Sequence, residues 1–277
     1  MHKFKIILIT SLTILSYQLI AKCNHKGDSC WVNLADIHPT QPRVGYYEVQ
    51  ENQLIKLNEV IKDCNNNPTK KCYDDNLHSH LKEDDNLIPV IYSYDKTYDM
   101  VDHHHLAYAL YKLYSTAGFC SISEMSDIAD CDIPVYIELV HNYSNDDYDQ
   151  KAYWQKMIKN NYFWPYSYDG DNQYTNFDYT NLPRYVTQLK DDPYRSYFGL
   201  ARKQGGFKKP NKDQLYFYQF KWAACSILLG YSLNTEPEFD QKNVNETINF
   251  LKNNADEMVN SCTDSKEFNY FPKPELK

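Results

Sequence analysis

Glycine is scarce in this chain, 8 of 277 residues, and no stretch is repetitive or low in complexity, which excludes a flexible-linker or disordered-tail architecture. Positive charge is also short: 29 Lys and Arg face 37 Asp and Glu, a formal net charge of −8. Setting aside residues 1–21, which carry Lys3 and Lys5 and no acid, makes the balance more negative still. A surface-wide attraction to nucleic acid or anionic lipid is therefore excluded, and any phosphate site must be a local pocket working against the global field. No C-x-x-C pair occurs, and the cysteine spacings match no usual zinc finger. Long apolar runs are missing too. The best candidate, Ile6 to Ile20, is interrupted by Thr10, Ser11, Thr13, Ser16 and Gln18 and falls short of the roughly 20 residues a spanning helix needs.

What is there in quantity is tyrosine, 26 residues, within a composition that is 42% hydrophobic, enough for a sizeable core in one large or two modest domains. The opening segment reads as a basic start (His2, Lys3, Lys5), an apolar middle and a small residue at Ala21, the layout of a secretory signal peptide over residues 1–21. An uncleaved anchor is the rival reading. Lipidation at Cys23 is rejected, because Lys22 stands where such processing wants a small residue. The expected location is secreted, periplasmic or otherwise extracytoplasmic. In that setting eight cysteines point to disulfides, with local spacing suggesting Cys64–Cys72, Cys120–Cys131, Cys225–Cys262 and Cys23–Cys30.

Periodicity then places the elements. Trp31–Ile37 reads as a strand, Tyr46–Asp63 as a helix with Leu54, Leu57, Val60 and Ile61 on one face, and Asn65–Asp85 as a polar loop. The runs IPVIYSYD and YDMVD are strands around a turn near Lys96–Thr97, and Ile133–Val140 is a buried strand. A helix follows Asp102, read as its N-cap, with Leu106, Leu110 and Leu113 in line. Further helices span Tyr148–Asn160, Asp192–Pro193 to Gly205–Gly206, Leu215–Tyr231 and Phe239–Cys262, and Phe163–Leu189 is a long aromatic loop. The whole predicts one α+β domain with a mainly helical C-terminal half, residues 22–232, followed by a helical tail, 233–277.

The strongest chemical feature is Asp102-His103-His104-His105 where a strand hands over to a helix. Unpaired N–H groups and the positive end of the macrodipole make such a start a phosphate cradle, and an imidazole there can move a proton. Against this, Asp102 can be a plain cap, and adjacent helical side chains splay by about 100°, so the three rings cannot meet one atom. Glu48 is a candidate base or a simple partner for the helix dipole. Gln41 and Arg43, in the turn HPTQPRVG with Gly45 allowing a tight bend, are candidate phosphate ligands, as is Arg195, which can instead pair with Asp191. Asp169 and Asp171, in YSYDGDNQ, are hard-oxygen candidates for a divalent ion such as Mg²⁺, or part of a solvated loop. Asn142-Tyr143-Ser144 and Asn245-Glu246-Thr247 are glycosylation sequons.

The runs HPTQPRVGYYEV, MVDHHHLAYAL, FWPYSYDGD, LPRYVTQLKDDPYRSYFGLARKQGGF and YQFKWA, in that order from about Trp31 to Gly230, resemble the ParB-like nuclease family of the ParB/sulfiredoxin fold. The resemblance implies a small mixed sheet flanked by helices, with a phosphate pocket at the strand-to-helix junction. Relatives on that fold carry there a Gly-containing motif ending in His-Arg or Arg-Arg. Asp102–His105 occupies that slot without the glycine or the terminal arginine, and without the cysteine that sulfiredoxin chemistry needs. The implied function is phosphodiester hydrolysis with His103, His104, His105 and Glu48 as catalytic candidates and Asp102, Gln41, Arg43 and Arg195 on the phosphate. The alternatives are nucleotide-dependent phosphoryl transfer after delivery into another cell, or non-catalytic binding outside it. Candidate cofactors are a divalent cation and a nucleotide; the candidate partner is a phosphorylated small molecule, nucleotide or nucleic acid.

Overall fold

The computed structural model describes residues 23–120, 131–170, 173–207, 216–233, 239–254 and 256–258. The signal-peptide segment and Cys262 lie outside these residues. Nine strands occur among them: β1 (Ser29–Asn33), β2 (Ile37–Pro39), β3 (Arg43–Val44), β4 (Ile88–Tyr92), β5 (Tyr98–Met100), β6 (Pro134–Asn142), β7 (Tyr166–Tyr168), β8 (Tyr174–Asn176) and β9 (Lys190–Asp191). Five form a mixed sheet in the order β1-β6-β4-β5-β2. The pairs β1/β6 and β4/β5 are antiparallel, whereas β4/β6 and β2/β5 are parallel. Central β4 buries four of its five residues, as a continuous apolar run predicts, while β6 alternates, burying Val135, Ile137 and Leu139.

The helices are α1 (Tyr46–Glu48), α2 (Ile55–Val60), α3 (Lys70–His80), α4 (His104–Thr116), α5 (Gln150–Lys159), α6 (Pro193–Lys203), α7 (Tyr218–Leu228) and α8 (Gln241–Asn253). A π-helical stretch, Val49–Leu54, joins α1 to α2, so the amphipathic pattern over 46–60 is one helical run with a widened middle. Between β5 and β6 the chain crosses over through α4, whose inner face buries Leu106, Leu110 and Leu113 against the sheet core. A second core, around Trp164, Tyr194, Phe198, Phe220 and Trp222, unites α6 and α7 with Val244 and Leu251 of α8, so the described part of the tail packs into the same body.

Two local expectations are corrected. The polar segment read as a loop over 65–85 contains α3. Thr69 accepts from the Cys72 N–H as N-cap, Lys70–Asp74 and Lys71–Asp75 pair at i,i+4, and Tyr73 and Leu77 supply a narrow buried stripe. The aromatic loop over 163–189 contains the hairpin β7/β8. Cys23–Cys30, Cys64–Cys72 and Cys120–Cys131 are paired as the spacing suggested. Cys225 is also disulfide-bonded. Three disulfides are compatible with an extracellular location. Among the described residues no helix is long and apolar enough to cross a membrane.

Candidate functional site

At the start of α4 the N-cap is His103, not Asp102. His103 sits in the left-handed region (φ 65°) and gives the helix no side-chain cap, while the Asp102 carboxylate accepts from the His103 N–H at 2.7 Å. The left-handed residue turns the chain so that the next two rings point inward. His104 Nε2 accepts from the Thr40 N–H at 3.2 Å, and His105 Nε2 accepts from the Gly45 N–H at 3.0 Å. Both rings are buried, and each Nε2 accepts from a backbone donor, which for His104 assigns the proton to Nδ1; His105 Nδ1 lies 3.4 Å from Arg195 Nη2. Burial is the main cause of the lowered affinity for a proton, bringing His104 to about 3 and His105 well below its ordinary value, where Arg195 adds to the effect. His104 and His105 therefore act as clamps on the turn between β2 and α1.

Glu48, at the end of α1, is 3% exposed and accepts from Arg195 Nη1 at 2.5 Å, with Lys203 Nζ 3.2 Å from its other oxygen. Burial would raise the Glu48 pKa, but Arg195 and then the other nearby cations more than offset it, holding the carboxyl well below the usual range. A carboxylate so firmly ionised and paired is a weak base; its place in the site is as counter-ion. Lys203 is lowered by burial to about 8, Glu48 opposing the shift. Arg195 and Lys203 lie eight residues apart on one face of α6, with Gly199 midway. A Cβ on Gly199 would stand 2.1 Å from Glu48 Oε2 and 2.7 Å from Arg195 Nη1, so only glycine leaves room for the ion cluster. Gly45 has φ −80°, open to any residue; its glycine is required because a Cβ would lie 2.6 Å from the Ser196 backbone nitrogen. Arg195 does not pair with Asp191, whose carboxylate accepts from the Tyr46 N–H instead.

These elements wall a cleft of about 270 Å³, room for roughly nine waters at their liquid volume. Asp102, His103, His105, Arg195, Arg202, Lys203, Tyr218 and Gln219 border it, with Glu48 at its base and Lys56 and Asp85 at its margin. Four formal cations (Lys56, Arg195, Arg202, Lys203) meet three carboxylates (Glu48, Asp85, Asp102), a local positive balance inside a chain of net charge −8. Three buried polar atoms among the lining residues have no hydrogen-bond partner: His103 Nδ1, Arg202 Nε and Tyr218 OH. Burial pushes the Tyr218 phenol well up, so it stays a donor. Buried polar groups without partners are uncommon, and three on one cleft point to an occupant that supplies acceptors.

The remaining expected residues lie elsewhere. Gln41 is buried behind the cleft, donating to the Arg43 carbonyl at 2.6 Å and bordering a void of about 20 Å³ with His104 and His105. Arg43 faces away, donating to Ser167 Oγ at 2.7 Å and to the Asp191 carbonyl at 2.6 Å. Asp169 sits on the exposed turn of the β7/β8 hairpin, and Asp171 lies outside the described residues. Among the described residues no group of three or more His, Cys, Asp or Glu side chains converges as a metal site. Residues at the cleft that the sequence did not single out as phosphate ligands are Lys203, Arg202, Gly199 and Tyr218. The first three share with Arg195 an i, i+4, i+7, i+8 stripe on α6 that was open to view.

No curated protein matches the chain. Among solved structures it is similar to protein Atu1540 from Agrobacterium tumefaciens, at 19% sequence identity and a TM-score of 0.58, covering 90% of this chain and 97% of that one. That likeness speaks for the fold. The family model described as "Putative ParB-like nuclease" matches residues 30–226, a span that takes in Glu48, the histidine run, α6 and most of α7. The chain belongs to the ParB-like nuclease family.

Proposed function

We propose that the cleft at the start of α4 binds a phosphoester and that the protein hydrolyses phosphodiesters outside the cytoplasm. The observation that carries this reading is the basic cleft with three unpartnered buried polar atoms, His103 Nδ1, Arg202 Nε and Tyr218 OH, beside an uncapped helix start. Family membership supports a nuclease-like role without fixing the substrate.

In this reading His103 is the proton-transfer residue. It is the one ring of the three not clamped to backbone, and an imidazole can both accept and donate a proton. His103 takes a proton from a water that attacks phosphorus; the phosphorus–oxygen bond to the leaving group breaks, and the proton is returned to the departing alkoxide. Arg202 and Lys203 neutralise charge on the non-bridging oxygens. Glu48 fixes Arg195 and Lys203 in place, His105 lines the cleft, and His104 holds the Thr40 backbone beside the smaller void. The small cleft and net charge of −8 favour a single nucleotide unit over a duplex.

The test is a thermal-shift panel on the oxidised protein (inorganic phosphate, nucleotides, single- and double-stranded nucleic acid, divalent ions) together with turnover of a chromogenic phosphodiester. Phosphate or nucleotide should raise the melting temperature by mass action, and His103→Ala should abolish turnover without lowering the unliganded melting temperature. A flat panel refutes the site. A positive panel without turnover favours a binding protein, a reading to which the engagement of His104 and His105 with backbone lends some weight.

A further inference from the structure

Among the described helices longer than six residues, α4 and α7 start differently from the rest. Thr69, Asp149, Asp192 and Asp240 cap α3, α5, α6 and α8 with side-chain acceptors. In contrast, α4 and α7 each begin after a left-handed residue, His103 (φ 65°) and Phe217 (φ 64°), and neither has a side-chain cap. Both uncapped starts border the same place: Asp102, His103 and His105 from one side, Tyr218 and Gln219 from the other. Left-handed backbone at non-glycine residues is unfavourable, so its use at both positions marks a geometry the rest of the fold enforces.

A helix start alone does not make a site. Here a second observation stands beside it: Tyr218, the first residue of α7, is 6% exposed and lines the cleft, and its buried hydroxyl has no hydrogen-bond partner. Arg202 Nε and His103 Nδ1, from two further elements, are in the same condition. The cleft thus offers unused polar groups from three directions. Its side chains leave one formal positive charge, to which each helix start adds about half a charge. A phosphodiester carries one charge and two non-bridging oxygens. A terminal phosphate carries close to two charges near pH 7 and three strong acceptor oxygens.

Resting on the phosphate reading above, we propose that the cleft recognises a terminal phosphomonoester, with Tyr218 and the starts of α4 and α7 holding it, so that the protein engages phosphorylated chain ends or nucleotides rather than internal diesters. Tyr218 is then a specificity-determining residue and not a catalytic one. The anchored end determines which neighbouring diester is presented to His103.

The experiment is isothermal titration of the full oxidised protein with a thymidine dinucleotide, with and without a 5′-phosphate. The phosphorylated form should bind at least about tenfold more tightly, since it adds charge-assisted hydrogen bonds that the other lacks. Inorganic phosphate should compete with it. Tyr218→Phe should reduce that preference roughly three- to tenfold while leaving the melting temperature nearly unchanged. Equal binding of the two dinucleotides overturns this proposal but keeps the phosphoester site. Binding of neither overturns both. A preference that survives intact in Tyr218→Phe removes Tyr218 from the recognition.

Discussion

Replacing Glu48 by glutamine tests the electrostatic centre of the site. The side chain is 3% exposed and meets Arg195 at 2.5 Å and Lys203 at 3.2 Å. Glutamine keeps the shape and removes the charge. Lys203, already lowered to about 8, can shed its proton when its counter-ion goes. Arg195 cannot, so the cost is that of one uncompensated buried charge, about 3–5 kcal/mol. At about 2–4 °C per kcal/mol for a chain of this size, the melting temperature should fall by roughly 6–20 °C. The exposed pair Lys62–Glu59 supplies the control. It has a comparable distance of 2.6 Å with side chains 60% and 71% exposed, so Glu59→Gln should cost no more than about 1 kcal/mol. The pH dependence has a definite sign. The Glu48 pKa is depressed in the folded state, so its contribution is complete above the ordinary value of 4.5 and drains away as pH falls toward the folded value. Above about pH 5 the difference between wild type and Glu48→Gln follows the proton that Lys203 loses more easily without Glu48; below about pH 4.5 the two should converge as Glu48 itself takes up a proton. The assay is thermal unfolding by circular dichroism with disulfides intact. A loss under 2 °C, or a difference that fails to shrink below about pH 4.5, would show that the cluster is solvated and refute the reasoning.

Gly199→Ala forces a Cβ to 2.1 Å from Glu48 Oε2, and overpacking of this kind costs about 1–3 kcal/mol; calorimetry should find it destabilised, and the loss should shrink in a Gly199→Ala/Glu48→Ala background. Asp99, buried in β5 and accepting from Tyr153 OH at 2.5 Å, is raised by burial to about 7. The folded state then holds a proton that the unfolded state has lost, so stability falls as pH rises from about 4 toward 7, and Asp99→Asn should flatten that part of the denaturant-midpoint profile. Cys64→Ser opens a bridge of sequence separation 8, which the loop-entropy relation values at about 2.5 kcal/mol, measurable as a shifted urea midpoint. An unchanged midpoint would mean that the unfolded chain is already constrained there.

The sequence made α4 and α6 legible because their signals are local: leucines at helical spacing in one, an Asp-Pro start and a Gly-Gly end in the other. It hid α3 because that helix is stabilised by a threonine cap and lysine–aspartate pairs, with only Tyr73 and Leu77 inside, a stripe too narrow to stand out in a polar segment. The same division runs through the site. Asp102, the three histidines, Glu48 and Arg195 were visible as residue types, and the structure gathers all but His104 around one cleft, with His104 on the small void beside Gln41. Which histidine faces the open space was not visible, since it depends on the left-handed backbone at His103 and on donors from Thr40 and Gly45, some 60 residues earlier in the chain. Arg43 drew attention as a cation in a turn, yet its donors are taken up by Ser167 and the Asp191 carbonyl, partners that only the folded chain brings near.

The pairing of Glu48 with Arg195 spans 147 positions, and it governs when the cleft can first exist. A nascent polypeptide that has reached α5 already carries Glu48 and all three histidines, but none of Arg195, Arg202, Lys203 or Tyr218. Contacts so far apart along the chain form late, after shorter loops have closed. The charged wall is completed only when α6 and α7 emerge and dock. Until then Glu48 remains hydrated, and the growing polypeptide passes through its maker with no anion trap to offer the nucleotides around it.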